Sequence, residues 1–200
     1  MYSKYKRALE VFRNHGGILR TSEAIREGVH PRTLYEMRDS GVLERLSRGL
    51  YRLADLPPLG DPDLLSVSLR IPRGVICLIS ALAYHDLTTQ IPHEVYLALE
   101  RGMERPRLKH PPVRIFWFSP RMFHEGIESR EIDGTPVRVY SIEKTLADCF
   151  KYRNKIGLDV ALEALQAYQK RRGVNVDRLL NAARLCRVEA VMRRYLEALI

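Results

Sequence analysis

The run from Pro31 to Asp39 carries Arg32, Thr33, Tyr35, Glu36 and Arg38 within one short stretch. Stepped as a helix, it turns Leu34 and Met37 inward with Gly41 and sets Arg38 at the edge of that side. Arg32, Glu36 and Asp39 fall on the opposite face, flanked by Thr33 and Tyr35. Such a face has a definite chemistry. A guanidinium fork fits the two acceptors of a guanine edge, a threonine meets a thymine methyl or a phosphate, and a carboxylate accepts from cytosine. Tyr35 and Arg38 are placed for the sugar-phosphate backbone, which fixes register without reading sequence. Arg20, Thr21 and Ser22 precede a second short helix, whose free backbone N–H groups attract phosphate. Arg45, Arg48 and Arg52 follow in a hairpin, with Arg48 at the turn beside Gly49. The plainer reading of each arginine is a solvated charge or a helical ion pair, and Arg32 to Glu36 has the i,i+4 spacing.

Catalytic constellations are sparse. His85, His93, His110 and His124 lie in the second half, and none shows a zinc-ligand spacing. No Gly-x-Ser-x-Gly, P-loop or Gly-x-Gly-x-x-Gly occurs. Glu143-Lys144 has the residue types of a metal-dependent nuclease pair, without an identifiable acidic companion. Its plainer reading is a first helical turn, with Glu143 at the positive dipole end and Lys144 in solvent. No catalytic residue, metal or cofactor is expected.

The elements that must position these residues follow from spacing. Tyr5, Ala8, Leu9 and Phe12 give a helix with one buried face, ended by Gly16-Gly17. Thr21 or Ser22 caps a second helix that Gly28 stops, and Pro31 suits the first position of a third. Residues 42–46 and 50–53 form two strand-like runs around Ser47-Arg48-Gly49, a β-hairpin. This order is that of a winged helix-turn-helix. Three prolines and a glycine between Asp55 and Pro62 then break the chain. The expected organisation is a DNA-binding domain over 1–56, a linker over 57–62 and a second domain over 63–200.

The second domain reads as helix at 63–71, a buried strand or helix start at 75–79, and a segment capped by Ser80. Residues 95–99 and 113–118 read as strands, and 127–132 with 137–140 as a hairpin around Asp133-Gly134, which Thr135-Pro136 trims. Helical spacing runs from Ile142 to Leu199. The fold class is α+β: a winged helix-turn-helix plus a mixed second domain, a small β-sheet followed by a helical C-terminal bundle. The loop 100–112, with Arg101, Arg105, Arg107, Lys109 and His110, reads as a solvated connection.

The chain has 200 residues, 46% hydrophobic and 28% charged, a globular composition. Its longest apolar runs are far shorter than the roughly 20 residues of a membrane span, and no secretory leader is evident. The expected localisation is cytoplasmic, and Cys77, Cys149 and Cys186 read as reduced core residues. A net charge of +9 favours polyanions. Residues 1–56 hold 11 Lys and Arg against 7 Asp and Glu, +4, so the excess is shared with the second domain and does not locate a face.

Three segments carry a resemblance. Ser47-Arg48-Gly49-Leu50-Tyr51-Arg52-Leu53 resembles the hairpin closing the N-terminal domain of the AbiEi-type antitoxins, transcriptional regulators of type IV toxin–antitoxin systems. Ser80-Ala81-Leu82-Ala83-Tyr84-His85-Asp86-Leu87-Thr88-Thr89-Gln90 resembles the segment after that family's linker, with Asp86 where glycine is usual. Val137-Arg138-Val139-Tyr140-Ser141-Ile142-Glu143-Lys144-Thr145-Leu146-Ala147-Asp148 resembles its strand-to-helix junction, continued by Lys151-Tyr152-Arg153-Asn154-Lys155. The resemblance extends over about residues 5–199. It implies an operator-binding winged helix, a second domain tied to antitoxin activity, autoregulation of the operon, and a nucleotidyltransferase-like toxin as the opposed partner. The leading expectation is therefore a non-enzymatic, sequence-specific repressor of an abortive-infection system. The alternatives are a metal-dependent nuclease with a DNA-binding head and an antitoxin that acts only through protein contacts.

Overall fold

A computed structural model describes residues 2–198, with side chains from residue 4. The chain divides into two compact units. One holds the chain up to Ser66 together with Glu131–Thr135; the other holds Val67–Arg130 and the chain from Pro136 onward.

The first unit is a winged helix-turn-helix. After a 3-10 turn at Tyr2–Tyr5 come α1 (Lys6–Asn14), β1 (Ile18–Arg20), α2 (Thr21–Arg26), α3 (Pro31–Asp39), β2 (Leu43–Ser47) and β3 (Leu50–Leu53). Tyr5, Ala8, Leu9 and Phe12 pack on Ala24, Val29, Leu34, Met37, Tyr51 and Leu53 in one core. The strands form an antiparallel sheet in the order β1-β3-β2. β1 was not expected from the sequence. It is three residues long, too short for periodicity to show, and pairs Ile18 with Arg52 and Arg20 with Leu50. The third strand makes β3 central, so Leu50, Tyr51, Arg52 and Leu53 are all buried.

Leucine and methionine at positions 34 and 37 are the inward anchors of α3, 1% and 0% exposed. Pro31 starts it, and the His30 side chain accepts from the Arg32 N–H at 3.1 Å, a cap. α2 opens one residue earlier than a Thr21 or Ser22 cap requires. Arg20 is the flanking residue, and its N–H donates to the Glu23 carboxylate at 3.0 Å. Gly28 carries φ of +84° between the two helices, so an L side chain would be strained at this turn.

The helix α4 (Pro62–Arg70) runs across the division, capped by Asp61, which accepts from the Leu64 N–H at 2.8 Å. Then come β4 (Val75–Ile76), α5 (Leu78–Tyr84), β5 (Val95–Glu100), β6 (Val113–Phe118), α6 (Pro120–His124), β7 (Ile127–Ile132) and β8 (Thr135–Tyr140), all in the second unit except the hairpin tip Glu131–Thr135. There follow α7 (Ile142–Lys151), α8 (Arg153–Ile156), α9 (Leu158–Gln169), α10 (Val176–Cys186) and α11 (Glu189–Ala198). The sheet order is β6-β5-β4-β8-β7, with β5–β6 and β4–β8 parallel and β4–β5 antiparallel. Asp133 and Gly134 turn the β7–β8 hairpin with φ of +47° and +74°. Pro136 does not trim β8, which starts at Thr135. Ser80 is not a cap but lies inside α5, where its Oγ accepts from the Tyr96 N–H at 2.9 Å and joins helix to sheet. The architecture is α+β, and α7 is its central helix, buried at every position from Lys144 to Phe150.

Candidate nucleic-acid interface

The core side of α3 fixes what its other side shows. With Leu34 and Met37 buried, Arg32, Tyr35 and Asp39 are exposed and Thr33, Glu36 and Arg38 half-exposed. The Arg32 side chain is 83% exposed. Its Nε donates to Glu36 Oε1 at 3.2 Å, so the i,i+4 pair seen in the sequence does form. Such an exposed pair is weak and gives way readily to another acceptor.

Glu36 is more committed than expected. Its second oxygen takes the Lys4 ammonium at 2.8 Å. The hydrogen bond from Lys4, followed by the charges of Lys4 and Arg32, holds the Glu36 carboxyl below its ordinary range, and Glu36 in turn raises Lys4. With both oxygens engaged, Glu36 aims two cations rather than standing open to a cytosine amino group. Lys4 thus joins the exposed face of α3, a residue that spacing within one helix could not have found.

Tyr35 is 47% exposed. The Arg38 guanidinium lies over its ring at 5.3 Å and is tied to Asp39 at 2.6 Å. Asp39 is the first cause of the upward shift of Arg38. These contacts pin both side chains at the rim of α3, where a phosphate rather than a base edge is the natural target.

The hairpin places its arginines differently. Arg45 and Arg48 are exposed, Arg45 donating from Nε to the Ser47 carbonyl at 3.3 Å. Gly49 turns the wing with φ of +73°, and its carbonyl accepts from the Thr21 N–H at 2.9 Å. Thus Arg48, Thr21 and the exposed Ser22 are gathered where the wing meets the start of α2, with Arg20 half-buried beside them. A Gly49→Ala substitution places a side chain in the left-handed region and should cost about 1–2 kcal/mol of unit stability, read by urea denaturation.

Arg52 is a correction. It is 4% exposed, on the central strand β3, and bonds the Glu44 carboxylate and the Pro57 carbonyl. The position lies under cover of the neighbouring strand and the chain that follows, so Arg52 braces the unit and does not present itself to a groove. Arg52→Met keeps the aliphatic stem and loses those bonds. Because Glu44 is half-exposed, we expect a modest loss, about 1–2 kcal/mol by denaturant titration, with DNA affinity of the folded protein unchanged.

In the second unit the residues of the nuclease alternative are occupied. Lys144 is not solvated but 1% exposed, paired with Asp148 at 2.5 Å. Glu143 accepts from the Tyr168 hydroxyl at 3.0 Å. Among the described residues no group of three His, Cys, Asp or Glu side chains is arranged to hold a metal ion. The loop arginines 101, 105 and 107 and Lys109 are exposed. No helix among the described residues is long and apolar enough to cross a membrane.

Comparison with known proteins agrees with the first unit. The crystal structure of the RV2827C protein from Mycobacterium tuberculosis superposes with a TM-score of 0.56 at 14% identity, over 96% of this chain and 80% of that one, which shows a shared fold. Comparison with curated proteins gives no match. Residues 6–54 match the family described as "Transcriptional regulator, AbiEi antitoxin"; the second-unit motifs at 80–90 and 137–155 lie outside the matched segment. The helices α1, α2 and α3 and the β2–β3 hairpin all fall within that match, so over residues 6–54 the chain is similar to the AbiEi antitoxin family of transcriptional regulators.

Proposed function

We propose that the chain is a sequence-specific DNA-binding repressor that acts as the antitoxin of a type IV toxin–antitoxin system, regulating its own operon and opposing a nucleotidyltransferase-like toxin. The observation that carries this reading is the exposed outer face of α3, with Arg32 at 83% exposure, within a segment that matches an antitoxin regulator family. In this reading α3 enters the major groove with Arg32 and Thr33 at base edges. Tyr35 and Arg38 follow one strand's backbone. Arg20, Thr21, Ser22, Arg45 and Arg48 hold the phosphates beside the wing and the start of α2. Occupation of the promoter then blocks transcription sterically. The place of action is the cytoplasm, where that DNA is.

Fluorescence anisotropy with labelled DNA from upstream of the gene tests the binding step. Affinity should fall steeply as salt rises, because each neutralised phosphate releases counterions. Weak binding that is equal for unrelated DNA would contradict the proposal. Co-expression with a neighbouring nucleotidyltransferase-like gene tests the antitoxin step: growth should be rescued by the full chain.

A further inference from the structure

The junction Ser141–Asp148, singled out by resemblance, is not used by the DNA reading. In the second unit it forms one wall of a cleft of about 480 Å³. The lining includes Arg121 and Glu125 from α6 and the turn after it, Ser141 and Glu143 at the start of α7, and Arg178 and Asn181 from α10. This volume lies within the range of small-molecule sites.

The cleft presents several polar groups that are available to a ligand. Arg121, Arg178 and Glu125 have side chains that no hydrogen bond or ion pair ties to another described residue. The others are partly used. Ser141 Oγ accepts from the Lys144 N–H at 3.4 Å, leaving its own proton to donate. Asn181 accepts from Arg184 Nη1 at 2.7 Å, leaving its NH₂. Glu143 accepts from Tyr168. The floor is rigid. Ser141 donates its N–H to the Gly126 carbonyl at 2.7 Å, and a Cβ on Gly126 would stand 2.8 Å from the Lys144 Cβ.

Two guanidinium forks facing one cleft ask for more acceptors than a carboxylate has, since its two oxygens satisfy one fork. A phosphate dianion has three free oxygens and can serve both. A bare phosphate would leave Glu125 facing a like charge, whereas a ligand hydroxyl gives that carboxylate a donor. We propose that this cleft binds a small hydroxylated phosphomonoester of the sugar phosphate class. Arg121 and Arg178 hold the phosphate, the Ser141 hydroxyl and Asn181 NH₂ donate to it, and Glu125 accepts from a sugar hydroxyl.

Calorimetric titration of the full chain with ribose 5-phosphate, inorganic phosphate and sulfate tests this. Saturable binding of ribose 5-phosphate is expected, tighter than either inorganic anion. Arg178→Gln and Arg121→Gln should each weaken it about tenfold or more. Glu125→Gln should weaken ribose 5-phosphate and leave or improve inorganic phosphate. All three positions are exposed, so thermal unfolding of the variants should match wild type. Three results would overturn the proposal: no saturable binding at millimolar ligand, equal binding of sulfate, or binding indifferent to the two arginine substitutions. The last would place the anion on another basic surface. None of these outcomes bears on DNA binding by the first unit.

Discussion

Lys144→Met should destabilise the second unit by about 3–5 kcal/mol at neutral pH, the usual loss when one partner of a buried ion pair is removed. The reason is what remains. Asp148 is 0% exposed, and its other contacts are the Lys144 ammonium and the Cys186 thiol, which donates to Oδ1 at 3.2 Å. The ammonium itself sits over the rings of Tyr140 and Phe118 at 4.2 and 4.8 Å. Methionine fills much of that space but returns no charge. Asp148 must then either stay ionised in an apolar core or take up a proton.

That choice gives the loss a pH dependence. Burial already pushes the Asp148 carboxyl above its ordinary range, opposed by the charge and hydrogen bond of Lys144 and by the hydrogen bond from Cys186. Without Lys144 it rises further. The variant is therefore least impaired below about pH 4, where Asp148 carries a proton both folded and unfolded. Its deficit against wild type widens as pH climbs through the interval between the wild-type folded value, itself raised, and the variant's still higher one. Urea titrations at pH 4 and pH 7 measure this. The double variant Lys144→Met with Asp148→Leu removes the stranded charge and should recover most of the loss. If it is no better than the single variant, packing and not charge controls the site.

Arg32→Ala has the largest expected effect on recognition. Arg32 is the most exposed cation on the outer face of α3 and, among the described residues, its side chain is held by Glu36 alone, a contact that a guanine edge can replace. Losing a bidentate base contact should cost about 1–3 kcal/mol on the preferred sequence and much less on a scrambled one, so discrimination collapses. Arg48→Ala is the contrast. At the wing turn it should weaken binding to both sequences alike and lower the salt slope by about one. Competition anisotropy with specific and scrambled duplexes separates the two patterns. Two variants that bind like wild type would mean that another face meets the DNA.

Part of this was legible in the sequence because local chemistry and packing agree. Pro31, Leu34 and Met37 define α3 and its inner side, and the outer side follows from them; Gly41, expected on the inner side, is exposed beyond the end of the helix. Ser47-Arg48-Gly49 marks the wing because a left-handed turn needs glycine. What escaped was decided by tertiary pairing. β1 is three residues long and becomes a strand only against β3. That pairing buries Arg52, whose sequence neighbours give no sign of a covered strand. Lys4 reaches Glu36 from outside the helix. Lys144 and Asp148 have the spacing of a solvated pair. A hint lay in Thr145, Leu146, Ala147, Cys149 and Phe150, which leave the helix no polar face on which to expose them.

Recognition by α3 is tested most directly by dimethyl sulfate protection of guanine N7, an atom that faces only the major groove. On upstream DNA bound by the full chain, the account predicts protected guanines that regain reactivity in the complex with Arg32→Ala. Bound DNA whose guanine N7 positions all remain reactive, or whose protection is indifferent to Arg32, would contradict it.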